Sequence, residues 1–417
     1  MFYSSNSNDL HVKFLADDDF FTEAIHLQVY PLNLSNYNDV KLICERIKTD
    51  PRALAYLLPK SKILHFFAEN IDFRAAAFLK QESLSRGADT IVTKHVIDCQ
   101  AEKSDVLIMG TASQIKNLLQ KLNSMDCWGL KEFREKLFKA FTNLNIQEWT
   151  IKLHNKNLIL NQDTKLMAII NLTPDSFYEH SRINESNILN QAEKFLSEGA
   201  AILDLGAEST RPGANAITHS EEISRLIPAL KALRKEFQDA IISIDTYKAQ
   251  TAKIAVSEGA DIINDISGFA FDDDMLKTLS ELNTTYILSH IEGRPENMQN
   301  YEGRENVLDD LINYFAGKIN ILKESGFTGN IILDPGLGFA KSSGDNLTII
   351  KNIESLKIFG LPVLVGHSRK RFTGGSLAGT LAVTSLLAGR VSLLRVHDVK
   401  ENNEALLIAK GVKDSIF

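Results

Sequence analysis

Apolar and polar positions follow two different patterns along this chain, and the change falls near residue 160. Beyond it, short β-branched runs recur: LMAIINL (166–172), AILDLG (201–206), IISID (241–245), DIINDIS (261–267), TYILSH (285–290), NIILDP (330–335), PVLVGHS (362–368) and SLLRVHD (392–398). Their first residues lie 20 to 45 positions apart, which leaves room each time for one helix and two loops. Apolar strands that are each followed by an amphipathic helical stretch predict a parallel sheet buried on both faces. Eight such units in roughly 250 residues are what a closed (β/α)8 barrel of the α/β class needs. An open doubly wound sheet is the competing architecture, and it usually runs to fewer strands.

The first 160 residues read otherwise. VKLICERI (40–47), HFFAEN (65–70), FRAAAFLKQESLS (73–85) and DVLIMGTASQIKNLLQKL (105–122) predict a small α+β domain over 1–160, ahead of a barrel over 161–417. VLIMG followed by Thr111 has one glycine and no Lys-Ser/Thr, so it reads as a strand-to-helix turn with Thr111 as N-cap rather than a phosphate loop. Cys127 and Trp128, beside a helix start at Leu130, read as packing residues, and LKEFREKLFKAFTNL (130–144) as a helix leading into the barrel. The simplest role for this part is docking or stability.

The barrel's chemistry lies where its strands end. Asn171, Glu208 to Arg211, Asp245, Asn264 and Asp265, His290, Asp334, Ser368 to Lys370, and Arg395 with His397 all fall at or just after a strand's carboxyl end. Barrels of this kind place their active sites there. Wet loops account for an Asn or Ser at one end, but poorly for acids, cations and histidines around all eight. Arg211, Arg369, Lys370, Arg395 and His397 converge only if the barrel closes, and then repel one another unless a polyanion neutralises them. Arginine forks suit phosphate oxygens, so a bound phosphate or pyrophosphate is expected. Asn171 is placed to carry a divalent ion bridging to it, with water completing the shell. Asp245, Asn264 and Asp334 form a lining suited to a heterocycle with alternating donors and acceptors. The alternative for each acid alone is local: Asp245 as an N-cap, Asp334 as a turn residue before Pro335.

Composition narrows the partners. Of 417 residues, 46 are basic and 53 acidic, a formal charge of −7, so no global field draws nucleic acid or an anionic membrane. Three scattered cysteines without a CxxC exclude a disulfide framework and a thiolate zinc site, and fit a reducing, cytoplasmic setting. Neither a signal peptide nor a membrane span is visible in the chain as given.

NLTPDSF (171–177), LDLGAESTRPGA (203–214), SIDTYKAQ (243–250), INDISG (263–268), HIEGRPENMQ (290–299), DPGLGFAK (334–341), GHSRKRF (366–372) and RVHDVKEN (395–402) make the barrel region, 165 to 413, resemble the dihydropteroate synthase family. The resemblance implies a (β/α)8 barrel that joins 6-hydroxymethyl-7,8-dihydropterin diphosphate to 4-aminobenzoate and releases diphosphate. It implies magnesium contacted by Asn171. It implies a pterin held by Asp245, Asn264, Asp334 and Lys370, and a diphosphate held by Arg211, Arg395 and His397. Thr210, Phe339 and Ser368 would bound the aminobenzoate site, with loops 171–185 and 206–216 as lids. Three departures stand out: Tyr178 to Ser181 replace the family's Ser-Asp-Gly-Gly, Ala207 replaces a common glycine, and the connection after Lys370 is short. The last bears on the seventh helix, which in the family contributes to dimer contacts, so a homodimer is an open expectation. The segment from about Arg52 to Leu130 loosely resembles an extension of some bacterial synthases. It does not resemble the pyrophosphokinase sometimes fused to them. Two rival readings remain: a corrinoid-dependent methyltransferase, which needs no diphosphate clamp, and a non-catalytic paralogue.

Overall fold

The computed structural model describes residues 32, 34, 37–172, 181–208, 217–293 and 306–415. Its N-terminal part is an antiparallel sheet of β1 (Ile63–Asp72), β2 (Asp89–Val92) and β3 (Lys103–Thr111), in the order β1-β3-β2. Helices Phe73–Leu84, Ala112–Leu122 and Leu130–Asn143 share one apolar core with it, built on Leu79, Ile108, Ile115, Leu118 and Leu130. Thr111 is the expected cap: its hydroxyl accepts from the Gln114 amide, and the Gln114 side chain returns to the Thr111 amide, a full capping box. Cys127 is exposed rather than packed. Trp128 is also largely exposed, with the Arg74 guanidinium 5.6 Å from its ring.

A hairpin of β4 (Trp149–Lys152) and β5 (Asn157–Leu160) comes next, followed by eight parallel strands: β6 (Lys165–Asn171), β7 (Ala200–Gly206), β8 (Ile242–Asp245), β9 (Ile262–Asp265), β10 (Thr285–Ser289), β11 (Ile331–Asp334), β12 (Leu364–Gly366) and β13 (Leu393–Val396). β13 pairs with β6, and a parallel bridge from Leu333 to Val363 joins β11 to β12, so the sheet closes into the expected barrel. All eight strands lie where the apolar runs are.

Strand period 2 sorts the side chains into layers. Met167, Ile202, Ile262, Ile287, Ile332, Leu364 and Leu393 meet in one interior layer, and Ile151, Leu158 and Leu160 of the hairpin complete it. The hairpin therefore closes the amino-terminal end of the barrel, although it lies before residue 161. Lys156 fastens it there, with Nζ 2.6 Å from the Ala240 carbonyl and 3.4 Å from Asp261. The N-terminal part touches the barrel nearby, where Asn143 Nδ2 donates to the Ile358 carbonyl at 2.6 Å and Trp149 Nε1 to the Gly360 carbonyl at 2.8 Å. No helix among the described residues is long and apolar enough to cross a membrane.

Candidate active site

Two residues above the apolar layer, the same inward positions become Ile169, Asp204, Asn264, Ser289, Asp334, Gly366 and Arg395, all but the first polar or glycine. A barrel interior that is dry at one end thus turns polar one layer higher, at the carboxyl ends of the strands. Asp245 enters the same space from the end of β8.

Arg395 organises this layer. Its Nε lies 2.6 Å from Asp204 Oδ2 and its Nη2 2.5 Å from Asp245 Oδ2, so two carboxylates from β7 and β8 share one guanidinium. Asp204 is fully buried, and its Oδ2 also accepts from Asn264 Nδ2 at 3.2 Å. Burial works against the Arg395 cation, but Asp204 and Asp245 outweigh it and hold the proton more tightly than usual. Asp245 moves the other way. Burial, helped by Asp204, pushes its carboxyl up to about 7, even with Arg395 pulling it down.

Lys370 and Asp334 form the second half of the site. The loop Pro335–Phe339 runs with Gly336 and Gly338 in left-handed backbone, at φ 63° and 80°. A Cβ at Gly338 would sit 2.9 Å from Lys370 Cδ, and one at Gly336 would collide with the His290 carbonyl. Glycine there lets Lys370 lie along the loop, its ammonium bonded to the Leu337 carbonyl and 4.4 Å from the centre of the Phe339 ring. Burial lowers the Lys370 ammonium to about 8, with Asp334 pulling it back up. Burial likewise raises Asp334, opposed by Lys370, while Asp334 Oδ1 accepts from the Gly336 amide at 2.8 Å. Lys341 ties this loop to its neighbour, donating to the Gly336 carbonyl at 3.0 Å and lying 2.8 Å from His290 Nδ1. Ser368 is buried against His397, Oγ to Nδ1 3.0 Å.

The structure therefore brings Asp245, Asn264, Asp334, Lys370 and Arg395 together, with Phe339 beside Lys370 and Ser368 beside His397. Asn171, exposed, ends β6 in register with Gly206. Thr210 and Arg211 lie outside the described residues, as do Tyr178 to His180 and most of both lid segments. Three strand-end residues have other work. Asp265 points away from the interior and holds the Ser267 and Phe269 amides and the Tyr286 hydroxyl. His290 packs edge-on against Tyr314, ring centres 4.6 Å apart. Arg369 is exposed and forks onto Asp398 at 2.6 and 2.9 Å. His367, in the same motif, is buried, lies 2.8 Å from Thr384 Oγ1 and is held down to about 4 by burial, which makes it a neutral core histidine.

Asp204 was not among the sequence candidates. The signal for it is a lone carboxylate inside the otherwise apolar AAILDLG, two positions past an inward isoleucine. As for a metal, no group of three His, Cys, Asp or Glu that could hold one occurs among the described residues. Asn171 offers one hard oxygen donor. That suits a magnesium ion only as one that arrives on a diphosphate and keeps its waters.

Residues 167–397 match the family described as pterin binding enzyme. A dihydropteroate synthase from Clostridium beijerinckii is 39% identical over 267 residues, 61% of this chain and 96% of that protein. The bifunctional dihydropteroate synthase/dihydropteroate reductase of Helicobacter pylori is 33% identical over 361 residues, 84% of this chain and 90% of its own length. That share exceeds what residues 161–417 can supply, so the match runs into the N-terminal part. The crystal structure of Yersinia pestis dihydropteroate synthase in a sulfonamide complex superposes with a TM-score of 0.59 at 31% identity, over 64% of this chain and all of that one.

Proposed function

The chain belongs to the pterin-binding enzymes and, within them, to the dihydropteroate synthases, and from that premise we propose which side chains carry its reaction. The enzyme condenses 6-hydroxymethyl-7,8-dihydropterin diphosphate with 4-aminobenzoate to give 7,8-dihydropteroate and diphosphate. The observation that carries the residue assignment is the convergence of inward polar side chains, Asp204–Arg395–Asp245 with Asn264, and Asp334 with Lys370, at the carboxyl end of the barrel.

Asp334 and Asp245 accept N–H bonds from the amino-pyrimidine edge of the pterin. Asn264 offers an amide acceptor and donor, and Lys370 donates to the ring's acceptors. Arg395 and His397, with Arg211 assigned from its motif alone, hold the diphosphate. Asn171 would hold a magnesium ion brought by the diphosphate, which would supply neutralisation of the charge that develops on the leaving group. The bond between the exocyclic carbon and the diphosphate oxygen breaks, and its electron pair leaves with diphosphate. The carbon's positive charge spreads into the pterin ring, where the nearby carboxylates tolerate it. The arylamine nitrogen then gives its lone pair to that carbon and loses a proton to the released diphosphate or to water. Phe339 and Ser368, with Thr210 assigned from its motif alone, bound the aminobenzoate site, and exclusion of water there would protect the cation. The test is diphosphate release by the full chain with magnesium and the pterin diphosphate. Release dependent on 4-aminobenzoate, with dihydropteroate as product, is expected. Tight binding of the pterin diphosphate without turnover would overturn the residue roles in catalysis.

The match to the Helicobacter pylori bifunctional protein beyond the barrel supports a second reading, that this chain also reduces its own product. A hydride from a reduced flavin or nicotinamide would add to C6 of the dihydropterin and a proton to N5, giving tetrahydropteroate. Loss of dihydropteroate matched one-to-one by oxidised donor is expected of the full chain. No oxidation with either donor class removes this reading.

The seventh and eighth barrel helices, Leu377–Leu387 and Val399–Asp414, pack together and leave Leu386, Leu407, Ile408 and Val412 exposed. That apolar surface supports a homodimer formed there, despite the short connection after Lys370.

A further inference from the structure

A second buried cluster lies behind Asp245, outside the site described above. Glu222 is in the first turn of the helix His219–Glu236, which follows β7, and is almost completely buried. Its Oε2 accepts from Thr246 Oγ1 at 3.1 Å and from Thr251 Oγ1 at 2.6 Å. Thr246 directly follows Asp245. It is buried, its amide donates to the Asn264 carbonyl at 3.0 Å, and its hydroxyl accepts from the Lys248 amide at 3.1 Å. Lys248 Nζ stands 3.7 Å from Glu222 and is paired with Glu208, which also accepts from the Tyr247 hydroxyl at 2.8 Å.

A buried carboxylate is costly unless it is paired and hydrogen-bonded, and here it is only partly compensated. Burial raises its proton affinity, and its Oε1 has no partner among the described residues. Glutamine would accept from the same threonines without burying a charge but would hold them more weakly than a carboxylate does, so stability alone gives little reason for an acid. What Glu222 does hold is the turn that aims Asp245. It pins the hydroxyl of the adjacent residue from one side, while the backbone pins the amide from the other.

We propose that Glu222 is a positioning residue for the synthase reaction, acting through Thr246 to fix the Asp245 carboxylate against Arg395 and the pterin. The inference rests on the reading that Asp245 holds the pterin. Thr251 supplies an internal control, because it bonds the same oxygen of Glu222 from the helix Ala249–Ser257 and does not adjoin Asp245.

The experiment measures steady-state kinetics of the full chain. Thr246→Val is expected to raise KM for the pterin diphosphate about tenfold, the worth of one hydrogen bond to a charged group, with KM for 4-aminobenzoate unchanged. Thr251→Val should lower thermal stability comparably and leave both KM values within about twofold of wild type. Glu222→Gln should raise the same KM alone, yet add less than about twofold in the Thr246→Val background, because both act through one contact. Equal kinetic effects of the two threonine variants, or independent effects of Glu222→Gln and Thr246→Val, would overturn the proposal. Asp245→Asn separates it from its premise. Unchanged pterin diphosphate affinity in that variant removes the reading of Asp245 itself. Lost affinity there, with the threonine variants alike, removes only the role of Glu222.

Discussion

Substituting Asp204→Asn tests whether two carboxylates divide one guanidinium. Asn keeps the shape and an oxygen that can accept from Arg395 Nε, now 2.6 Å from Asp204, but removes the charge. In wild type, two unit charges that share the Nε/Nη2 edge of one guanidinium, ~5 Å apart between carboxylate centres, repel by about 3 kcal/mol at an effective dielectric of ~20. That repulsion adds to burial in pushing Asp245 up to about 7. A carboxyl raised in the folded state binds more protons folded than unfolded between pH about 4 and about 7. Wild-type stability contributed by Asp245 is therefore fully present at low pH and is lost as pH rises through that window. At pH 5 Asp245 is protonated and no longer competes with Asp204 for Arg395. Asp204→Asn then loses a charge-assisted hydrogen bond, about 2–3 kcal/mol. At pH 8 the lost bond is largely offset by relief of the repulsion, and Asp245 takes Arg395 alone. The penalty should shrink to below about 1 kcal/mol, read by urea unfolding of both proteins at the two pH values. Equal penalties at pH 5 and pH 8 would refute the shared guanidinium.

Lys370→Ala should abolish synthase turnover. In the wild type, burial places the free-enzyme ammonium near pH 8, so kcat/KM for the pterin diphosphate should fall above about pH 8 as that charge is lost. A profile flat to pH 9.5 would contradict it. Leu160→Ala removes a fully buried hairpin side chain from the apolar layer. It should cost about 2–5 kcal/mol by denaturant titration with KM values unchanged, and a neutral result would detach the hairpin from the barrel core. Ile408→Glu places a charge on the apolar surface of the last two helices. Sedimentation should show a dimer in wild type and a monomer in the variant, and a wild-type monomer would end the dimer reading.

The barrel was legible because each strand is an apolar run of its own length, and parallel strands buried on both faces cannot hide that signal. Which residues face inward was less legible. Asp245, Asn264 and Asp334 stand at strand ends, where an ionisable residue attracts notice, but Asp204 sits mid-strand and becomes visible only once period 2 is registered against Ile202. Asp265 follows Asn264 in the chain and takes the opposite face for the same reason. Arg369 and Lys370 look alike in GHSRKRF, yet the left-handed backbone at Arg369, φ 55°, goes with a guanidinium tied to Asp398. The hairpin's Ile151, Leu158 and Leu160 alternate as any amphipathic strand does, and nothing local says which core receives them. Trp128 reads as a core residue by type, whereas in the fold it meets Arg74 at the surface.

The cluster of charges in the mouth is a poor way to stabilise a barrel and a good way to hold this substrate. Asp204, Asp245 and Asp334 set three acids against the cations Arg395 and Lys370 in a space that apolar side chains would fill at lower cost. Each proton affinity that burial shifts there, up at Asp245 and Asp334 and down at Lys370, records a charge waiting for a complement. On the assignment proposed above, a pterin diphosphate would supply one of each kind, with N–H donors on the ring for the carboxylates and an anionic tail for Arg395. As the tail took a share of Arg395, Asp245 would lose part of its counter-ion just as the ring donors and the developing ring cation arrived to replace it. On that assignment, binding at one end of the substrate would prepare the other, with Arg395, lying between Asp204 and Asp245, as the side chain that links the two ends.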